Sequence, residues 1–192
     1  MLYRATDNGG NVSQVGSVTV KLDKTAPTVA VSGAAEGASV SDAGDVTWTA
    51  TDATSGIDSV TATVDGVAVA ADKPLALWTL SLGSHTLVVK ATDKAGLVTT
   101  STRTFTTTTS ILSLTALTER LSREGLVTPA GEKELEKRLQ QAEKHVAGGR
   151  TAAAISQLQS FVDAAKSTSN VRDAAASAAL QRDANAVIAS LR

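Results

Sequence analysis

Four aspartates, Asp7, Asp23, Asp52 and Asp93, stand in predicted loops where their carboxylates could hold a metal ion. Ca²⁺ prefers about six to eight oxygen ligands, which carboxylates and backbone carbonyls together can supply. The spacing of these residues matches no EF-hand loop. The sequence therefore predicts no metal site, and it leaves open whether loop carboxylates such as Asp23, Asp52 and Asp93 bind calcium.

The two histidines, His85 and His145, fall in different predicted domains, so they form neither a catalytic triad nor a metal cluster. His85 precedes a predicted strand, where a corner residue of a β-sandwich often hydrogen-bonds to the backbone. We predict that structural role for His85. His145 is predicted to face the negative end of its helix. The chain has no cysteine, which excludes disulfides and thiolate metal sites.

Two pairs of carboxylates, Asp42 with Asp45 and Asp52 with Asp58, could in principle perform acid–base chemistry. Glycosidases need two carboxyl groups that face each other across a bound sugar. No pattern in this sequence predicts such a cleft, and aspartates near turns commonly accept local backbone hydrogen bonds. We therefore predict no catalytic residue, no cofactor and no enzymatic activity.

The two tryptophans, Trp48 and Trp78, could stack on sugar rings if they were exposed. Trp48 shares the parity of Val46 and Ala50 in a predicted strand, which indicates that it packs in the core. Trp78 lies in a predicted strand at residues 75–82 whose two faces are both hydrophobic, so its orientation is ambiguous. It is the weak candidate for contact with a polysaccharide.

The overall composition excludes several kinds of partner. The chain of 192 residues carries 18 Lys and Arg against 19 Asp and Glu, and 3% of its residues are aromatic. Nucleic-acid binding would need a basic patch and an aromatic platform. No apolar run approaches the ~20 residues that span a bilayer, so we predict no membrane insertion. We expect a monomer whose partners are adjacent domains of the same chain, with a cell-wall or extracellular polysaccharide as an open alternative.

The composition changes near residue 110, which predicts a multidomain protein with an all-β part and an all-α part. Residues 1–108 are rich in Thr, Val, Asp and Gly, whereas residues 109–192 are rich in Ala, Leu, Glu, Arg and Gln. We predict an immunoglobulin-like antiparallel β-sandwich at residues 26–108 and a small antiparallel bundle of three or four helices at residues 109–192.

A strand, an acidic turn and a return strand occur twice, as LYRATDNGGNVS at residues 2–13 and as LVVKATDKAGLVT at residues 87–99. Asp7 aligns with Asp93, and Asn11 aligns with Leu97. Residues 1–25 are therefore interpreted as the terminal strands of a truncated preceding repeat, with a signal peptide expected upstream. We expect Val18, Val20 and Leu22 to share one face of this segment, which should be frayed or paired with an edge of the next domain.

The motifs DKTAPTVAVSG, DVTWTATD, SGIDSVTATVDG and LWTLSLGSHTLVVKATDKAG follow one another between residues 23 and 96. In this order they resemble the bacterial immunoglobulin-like repeats strung along secreted and surface proteins of Gram-positive bacteria. The resemblance covers roughly residues 26–106. Leu97 stands where this family usually has Asn, which puts in question the usual turn hydrogen bond there, whereas Asn11 retains it.

The second half contains LTERLSREGLVTPAGEKELEKRLQQAEKHVAGGRTAAAISQLQSFVDAAK, with helix signals at Gly125, at Thr128 with Pro129, and at Asn170 with Asp173. This stretch resembles the FIMAH module found at the C-terminal ends of secreted bacterial hydrolases, lyases and other surface proteins. The resemblance implies an accessory domain. We therefore expect a non-catalytic spacer and presentation region of a secreted or cell-wall-associated bacterial protein, such as a carbohydrate-active enzyme, with a polysaccharide-binding module as the alternative.

Overall fold

A computed structural model describes residues 1–19 and 21–192, with strands in the first part of the chain and helices in the second. The predicted face that includes Val20 thus falls partly outside the described residues. The strands are β1 (Leu2–Tyr3), β2 (Gly16–Ser17), β3 (Thr28–Ser32), β4 (Ala38–Ser41), β5 (Asp45–Thr51), β6 (Ile57–Val64), β7 (Val67–Val69), β8 (Leu75–Ala76), β9 (Gly83–Asp93) and β10 (Val98–Thr108). The helices are α1 (Ile111–Arg123), α2 (Pro129–Ala147), α3 (Thr151–Ala165) and α4 (Ala174–Ser190).

Two sheets form the predicted β-sandwich. One has the strand order β4-β10-β9-β6-β7, and the other has the order β3-β5-β8. The paired strands of both sheets are antiparallel except β4 and β10, which run parallel. The prediction of an antiparallel sandwich is therefore confirmed apart from this one edge pair.

The alternation of side chains along the strands explains the core of the sandwich. On β5, Val46 is buried and Trp48 packs against the same core, as their shared parity predicts. Leu87, Val89 and Phe105 are fully buried on β9 and β10. Asp65-Gly66 predicts a two-residue hairpin, and it forms the turn between β6 and β7 with φ angles of 51° and 81°, the left-handed pair that such a hairpin requires.

Residues 75–82 were predicted to form one strand, and this prediction is wrong beyond the first two residues. After β8 the chain turns into a short 3₁₀-helix at Leu77–Thr79. Leu77 enters the sandwich core, whereas Trp78 packs against the helical domain. Both faces of this segment are apolar because it lies between two cores, which is why the alternation was ambiguous.

The four helices enclose a second core. Each helix packs on the next, and α4 also contacts α1. The buried residues of this core are Leu114, Leu117, Leu121, Val127, Leu135, Leu139, Ala142, Leu158, Phe161, Val162, Ala165, Val171, Ala176, Leu180, Ala184, Val187 and Ile188. The spacing of Val146 from Leu135, Leu139 and Ala142 predicts that it also faces inward. It is instead 40% exposed, because it lies in the last turn of α2 beyond the packed part of the helix.

Local signals determine where the helices begin and end. Gly125 ends α1 with φ at 77°, and the Thr128 side chain accepts a hydrogen bond from the Gly131 amide ahead of α2. Asn170 was predicted to begin α4, but Asp173 is the N-cap. The Asn170 side-chain amide instead donates to the Ala164 carbonyl oxygen at 3.0 Å, so it caps the end of α3.

The first segment forms a separate two-stranded sheet, in which Leu2 pairs with Ser17 and Tyr3 with Gly16. Its apolar side chains are largely exposed, for example Leu2 at 73% and Leu22 at 71%. The predicted pairing with an edge of the sandwich is not found among the described residues. No helix in residues 1–19 and 21–192 is long and apolar enough to cross a bilayer.

The Phe161 ring has an exposed fraction of 0% in the helical core, so its truncation should be costly. We expect Phe161→Ala to lower the free energy of unfolding by about 3–5 kcal/mol, because the change removes buried surface and leaves a cavity. Urea denaturation followed by circular dichroism measures this loss. Leu112→Ala is the control, since Leu112 is 76% exposed, and an equal effect of both changes would contradict the packing described here.

Candidate functional site at the junction of sandwich and bundle

The sandwich contacts the helical bundle through two short segments, and this contact is called the junction below. One segment is the turn at residues 42–45 between β4 and β5, and the other is the 3₁₀-helix Leu77–Thr79. Ala43 and Trp78, one from each segment, pack against the helical core. Helices α1 and α4 supply the polar contacts that surround this apolar pair.

Arg120 on α1 binds the first segment. Its Nη2 atom lies 2.8 Å from Asp45 Oδ1, and its Nη1 atom donates to the carbonyl oxygens of Ala43 and Gly44 at 3.2 Å each. The remaining Nε donates to Oε1 of Glu124, the C-cap residue that follows α1, at 2.8 Å. The planar guanidinium thus uses its fixed fork of donors to join one helix to one loop.

Arg182 on α4 binds both segments at once. Its Nη1 atom donates to the carbonyl oxygens of Trp78 and Leu80, and its Nη2 atom lies 3.5 Å from Asp42 Oδ2. Its Nε donates to Asp183 Oδ1 at 2.6 Å. These donors satisfy carbonyl groups at the end of the 3₁₀-helix that would otherwise lack partners between the two cores.

Asp42 and Asp183 form a buried acidic pair beside Arg182, with exposed fractions of 1% and 0%. With both carboxyls ionised, Asp42 Oδ1 and Asp183 Oδ2 would be buried without a hydrogen-bond partner among the described residues. Burial, followed by the hydrogen bond and the negative charge of Asp183, raises the pKa of Asp42 to about 8, although the charge of Arg182 acts in the opposite direction. The pair can therefore share one proton, which Asp42 holds and donates in a hydrogen bond to Asp183.

The sequence placed Asp42 and Asp45 in a turn but assigned them no partner. The structure brings both to the junction, and it adds Arg120, Arg182 and Asp183, which sequence reasoning missed. One signal was available: α4 is rich in Ala, and Arg182-Asp183 is the charged pair within it. A charged pair on an otherwise apolar helix usually needs a polar partner elsewhere in the chain.

Trp78 is half-buried at the junction. It lines an open groove of about 380 Å³ together with Thr79, Ala175, Ala178, Ala179 and Arg182. Its indole Nε1 is buried and has no hydrogen-bond partner in the described part of the chain. Contact between Trp78 and a ligand remains a prediction.

The predicted backbone hydrogen bond of His85 is present. Its Nε2 lies 2.8 Å from the carbonyl oxygen of Ser81, and its Nδ1 lies 2.7 Å from Asp65 Oδ2. The imidazole also packs against the ring of Phe105, with centroids 5.7 Å apart. The hydrogen bond from His85, followed by the one from the Thr86 amide, lowers the pKa of Asp65. His145 lies half-buried in the last turn of α2, in the helical part of the chain, whereas His85 lies on β9 of the sandwich.

Three of the four loop aspartates come together in space. One carboxylate oxygen from each of Asp23, Asp52 and Asp93 lies within 4.8 Å of the other two, and this group is called the aspartate cluster below. The cluster joins the linker before β3, the loop between β5 and β6, and the turn between β9 and β10. Asp7 occupies the equivalent turn of the first segment and is not part of the cluster.

The model of one known domain family, the FIMAH domain, matches residues 111–189. The matched span begins at the first residue of α1 and ends within the last turn of α4. The helical part of the chain therefore matches the FIMAH domain, as its sequence predicted, and an all-β region precedes it. No curated protein matches the chain.

The raised pKa of Asp42 predicts an unusual dependence of stability on pH. The carboxyl titrates near 3.8 when the chain is unfolded and near 8 when it is folded. The folded state thus holds an extra proton between these values, so the free energy of unfolding should fall as pH rises from about 4 to about 8, by up to ~1.4 kcal/mol per pH unit.

Urea titrations at several pH values measure this slope. Asp42→Asn should flatten it, because the amide does not titrate. Asp72→Asn is the control, since Asp72 is exposed in a loop of the sandwich and should leave the slope unchanged. A slope that is the same in the parent protein and in Asp42→Asn would contradict the protonated pair.

Proposed function

We propose that the chain is a non-catalytic accessory region of a secreted or cell-surface bacterial multidomain protein, where it acts as a spacer and presentation module. The FIMAH match at residues 111–189 supports an accessory role for the bundle. The order of motifs in the sandwich sequence, which resembles that of bacterial immunoglobulin-like repeats, also supports the proposal. On this proposal residues 26–106 are one such repeat, and residues 1–25 are the end of a preceding one.

The observation that carries the proposal is the junction. Thr109 and Ser110 alone separate the last strand from the first helix. The Ser110 side chain accepts a hydrogen bond from the Ser113 amide at 3.1 Å, so the connection leads directly into a capped helix. Arg120 and Arg182 add contacts between the domains on either side of the connection. Such a joint favours a stiff unit over two domains on a flexible tether.

A stiff unit would function by fixing the position of the neighbouring domains. A spacer whose domains cannot bend freely holds a catalytic or adhesive neighbour at a defined distance from the surface that carries it. At the other end of the sandwich, Pro27 is buried and its carbonyl oxygen accepts a hydrogen bond from the Thr99 hydroxyl. The end of the linker before β3 is thus also held against the sandwich.

Amide ¹⁵N relaxation in solution tests the spacer proposal. We expect the sandwich and the bundle to share one rotational correlation time in the parent protein. The double change Arg120→Gln with Arg182→Gln should separate the two values, because it removes the polar contacts of the junction. Arg123→Gln with Arg172→Gln is the matched control, since both of these arginines are exposed. Independent tumbling in the parent protein would contradict the proposal.

The second candidate function is binding of a cell-wall or extracellular polysaccharide. The groove lined by Trp78 favours it, because an aromatic face beside an arginine can contact both the ring and the hydroxyl groups of a sugar. The groove lies between the sandwich and α4, so a bound chain would contact both domains.

Co-sedimentation with insoluble cell-wall, plant and fungal polysaccharides tests this candidate. If it holds, one polymer should retain the protein, and Trp78→Ala should lose most of that retention. Val67→Ala is the control, because Val67 is an apolar residue that is 69% exposed on a distant strand. A lack of retention on every polymer would remove the binding function and would not affect the spacer proposal.

A further inference from the structure

The three carboxylates of the aspartate cluster converge from separate loops. One oxygen from each lies within 4.8 Å of the others, so up to three negative charges meet in one place. Among residues 1–19 and 21–192, no Lys, Arg or His forms an ion pair with any of the three. Nearby like charges disfavour one another unless a cation or protons compensate them. Among the described residues, no basic side chain thus makes a direct ion pair that would compensate these charges.

Asp93 is the best-defined member of the cluster. It is 1% exposed, and its Oδ1 accepts hydrogen bonds from the amides of Ala95 and Leu97 at 2.9 and 2.8 Å. Its Oδ2 is buried and has no partner in the described part of the chain. A buried carboxylate oxygen without a partner is costly, so a ligand for it is expected.

The turn at Asp7, in residues 1–19, has the same backbone hydrogen bonds as the turn at Asp93, but its second carboxylate oxygen has a partner. Asp7 Oδ1 accepts from the amides of Gly9 and Asn11, both at 2.9 Å, and the backbone of the turn closes as it does at Asp93. There, however, the Asn11 side chain donates to Asp7 Oδ2 at 3.0 Å. Leu97 replaces this asparagine in the second turn. The backbone geometry is kept, and the second oxygen of Asp93 is left without a donor, as the sequence comparison suggested.

The other two members of the cluster, Asp52 and Asp23, likewise each accept hydrogen bonds from their own loop with one carboxylate oxygen. Asp52 Oδ1 accepts from the amides of residues 54, 55 and 56, and these bonds, Gly56 first, lower the pKa of Asp52. Asp23 Oδ1 accepts from the Thr25 amide at 2.9 Å, whereas its Oδ2 is buried without a partner among residues 1–19 and 21–192. Each carboxylate thus fixes its own loop with one oxygen and keeps the second uncommitted.

We propose that Asp23, Asp52 and Asp93 form a calcium site that ties the linker to the sandwich. Ca²⁺ binds oxygens at about 2.3–2.6 Å, so one ion can bridge oxygens that lie up to about 5 Å apart. Three carboxylates supply the charge, and backbone carbonyls of the three loops and water can supply further ligands. The site does not depend on the spacer function, but a bound ion would fix the linker at residues 23–27.

Calorimetric titration of the chelator-treated full chain with CaCl₂ tests the site. We expect one ion per chain with a Kd of about 0.1–1 mM, the range of extracellular calcium modules. In 10 mM CaCl₂ the Tm should then rise by about 3–10 °C above its value in EDTA. The amide resonances of the three loops should shift on binding. Absence of binding heat and of a Tm change would overturn the proposal, and equal affinity for MgCl₂ would overturn the choice of calcium.

Three changes test the ligands, and each variant is checked for folding by circular dichroism. Asp23→Asn and Asp93→Asn should weaken calcium binding at least tenfold, since each removes a charged ligand. Leu97→Asn should weaken it by a similar factor, because the new amide can occupy Asp93 Oδ2 as Asn11 occupies Asp7 Oδ2. This third variant tests the proposal even if Asp93→Asn does not fold. Asp72→Asn is the control, and an equal loss in all four variants would overturn the assignment.

Discussion

One arginine between two hydrophobic cores determines how the halves of this protein meet. Arg182 donates to carbonyl oxygens of the 3₁₀-helix and lies beside two buried acids, Asp42 and Asp183. Its charge is permanent, since guanidinium does not lose its proton in proteins. Each domain has a small core and therefore modest stability, so an unpartnered polar group buried between the domains would be strongly destabilising. The proton held by Asp42 leaves one negative charge for Arg182 to balance.

Aspartates organise the loops of this cysteine-free chain. The Oδ1 atoms of Asp7, Asp52 and Asp93 each accept hydrogen bonds from backbone amides of the residues that follow, which fixes the turn. Asp65 instead joins its hairpin to the next long strand through His85 and the Thr86 amide. Because a carboxylate has two oxygens, a residue that shapes a turn can also serve a second purpose. Whether it does so depends on the neighbour that reaches the other oxygen, as Asn11 and Leu97 illustrate.

The sequence predicts those features of the fold that depend on local signals. The alternation in β5, the Asp65-Gly66 hairpin and the caps at Gly125 and Thr128 are all present, because each is decided within a few residues. The junction could not be predicted in this way, since Asp42 and Arg182 are 140 residues apart. The aspartate cluster likewise depends on how three loops are folded together. The misassigned 3₁₀-helix and the cap at Asp173 reflect tertiary contacts that outweigh a local preference.

The parallel pairing of β4 with β10 has a mechanical consequence. β10 is hydrogen-bonded along both edges, to β9 on one side and to β4 on the other, and it leads into α1 after two residues. Tension between the bundle and the sandwich would therefore enter at Thr108 and act along the length of this strand. The antiparallel bonds to β9 lie across that direction, and the parallel bonds to β4, at residues 105–108, are slanted to it, so both ladders would be loaded mainly in shear. Tension from the helical domain would thus act on β10, which is hydrogen-bonded to strands on both sides at the end nearest to α1.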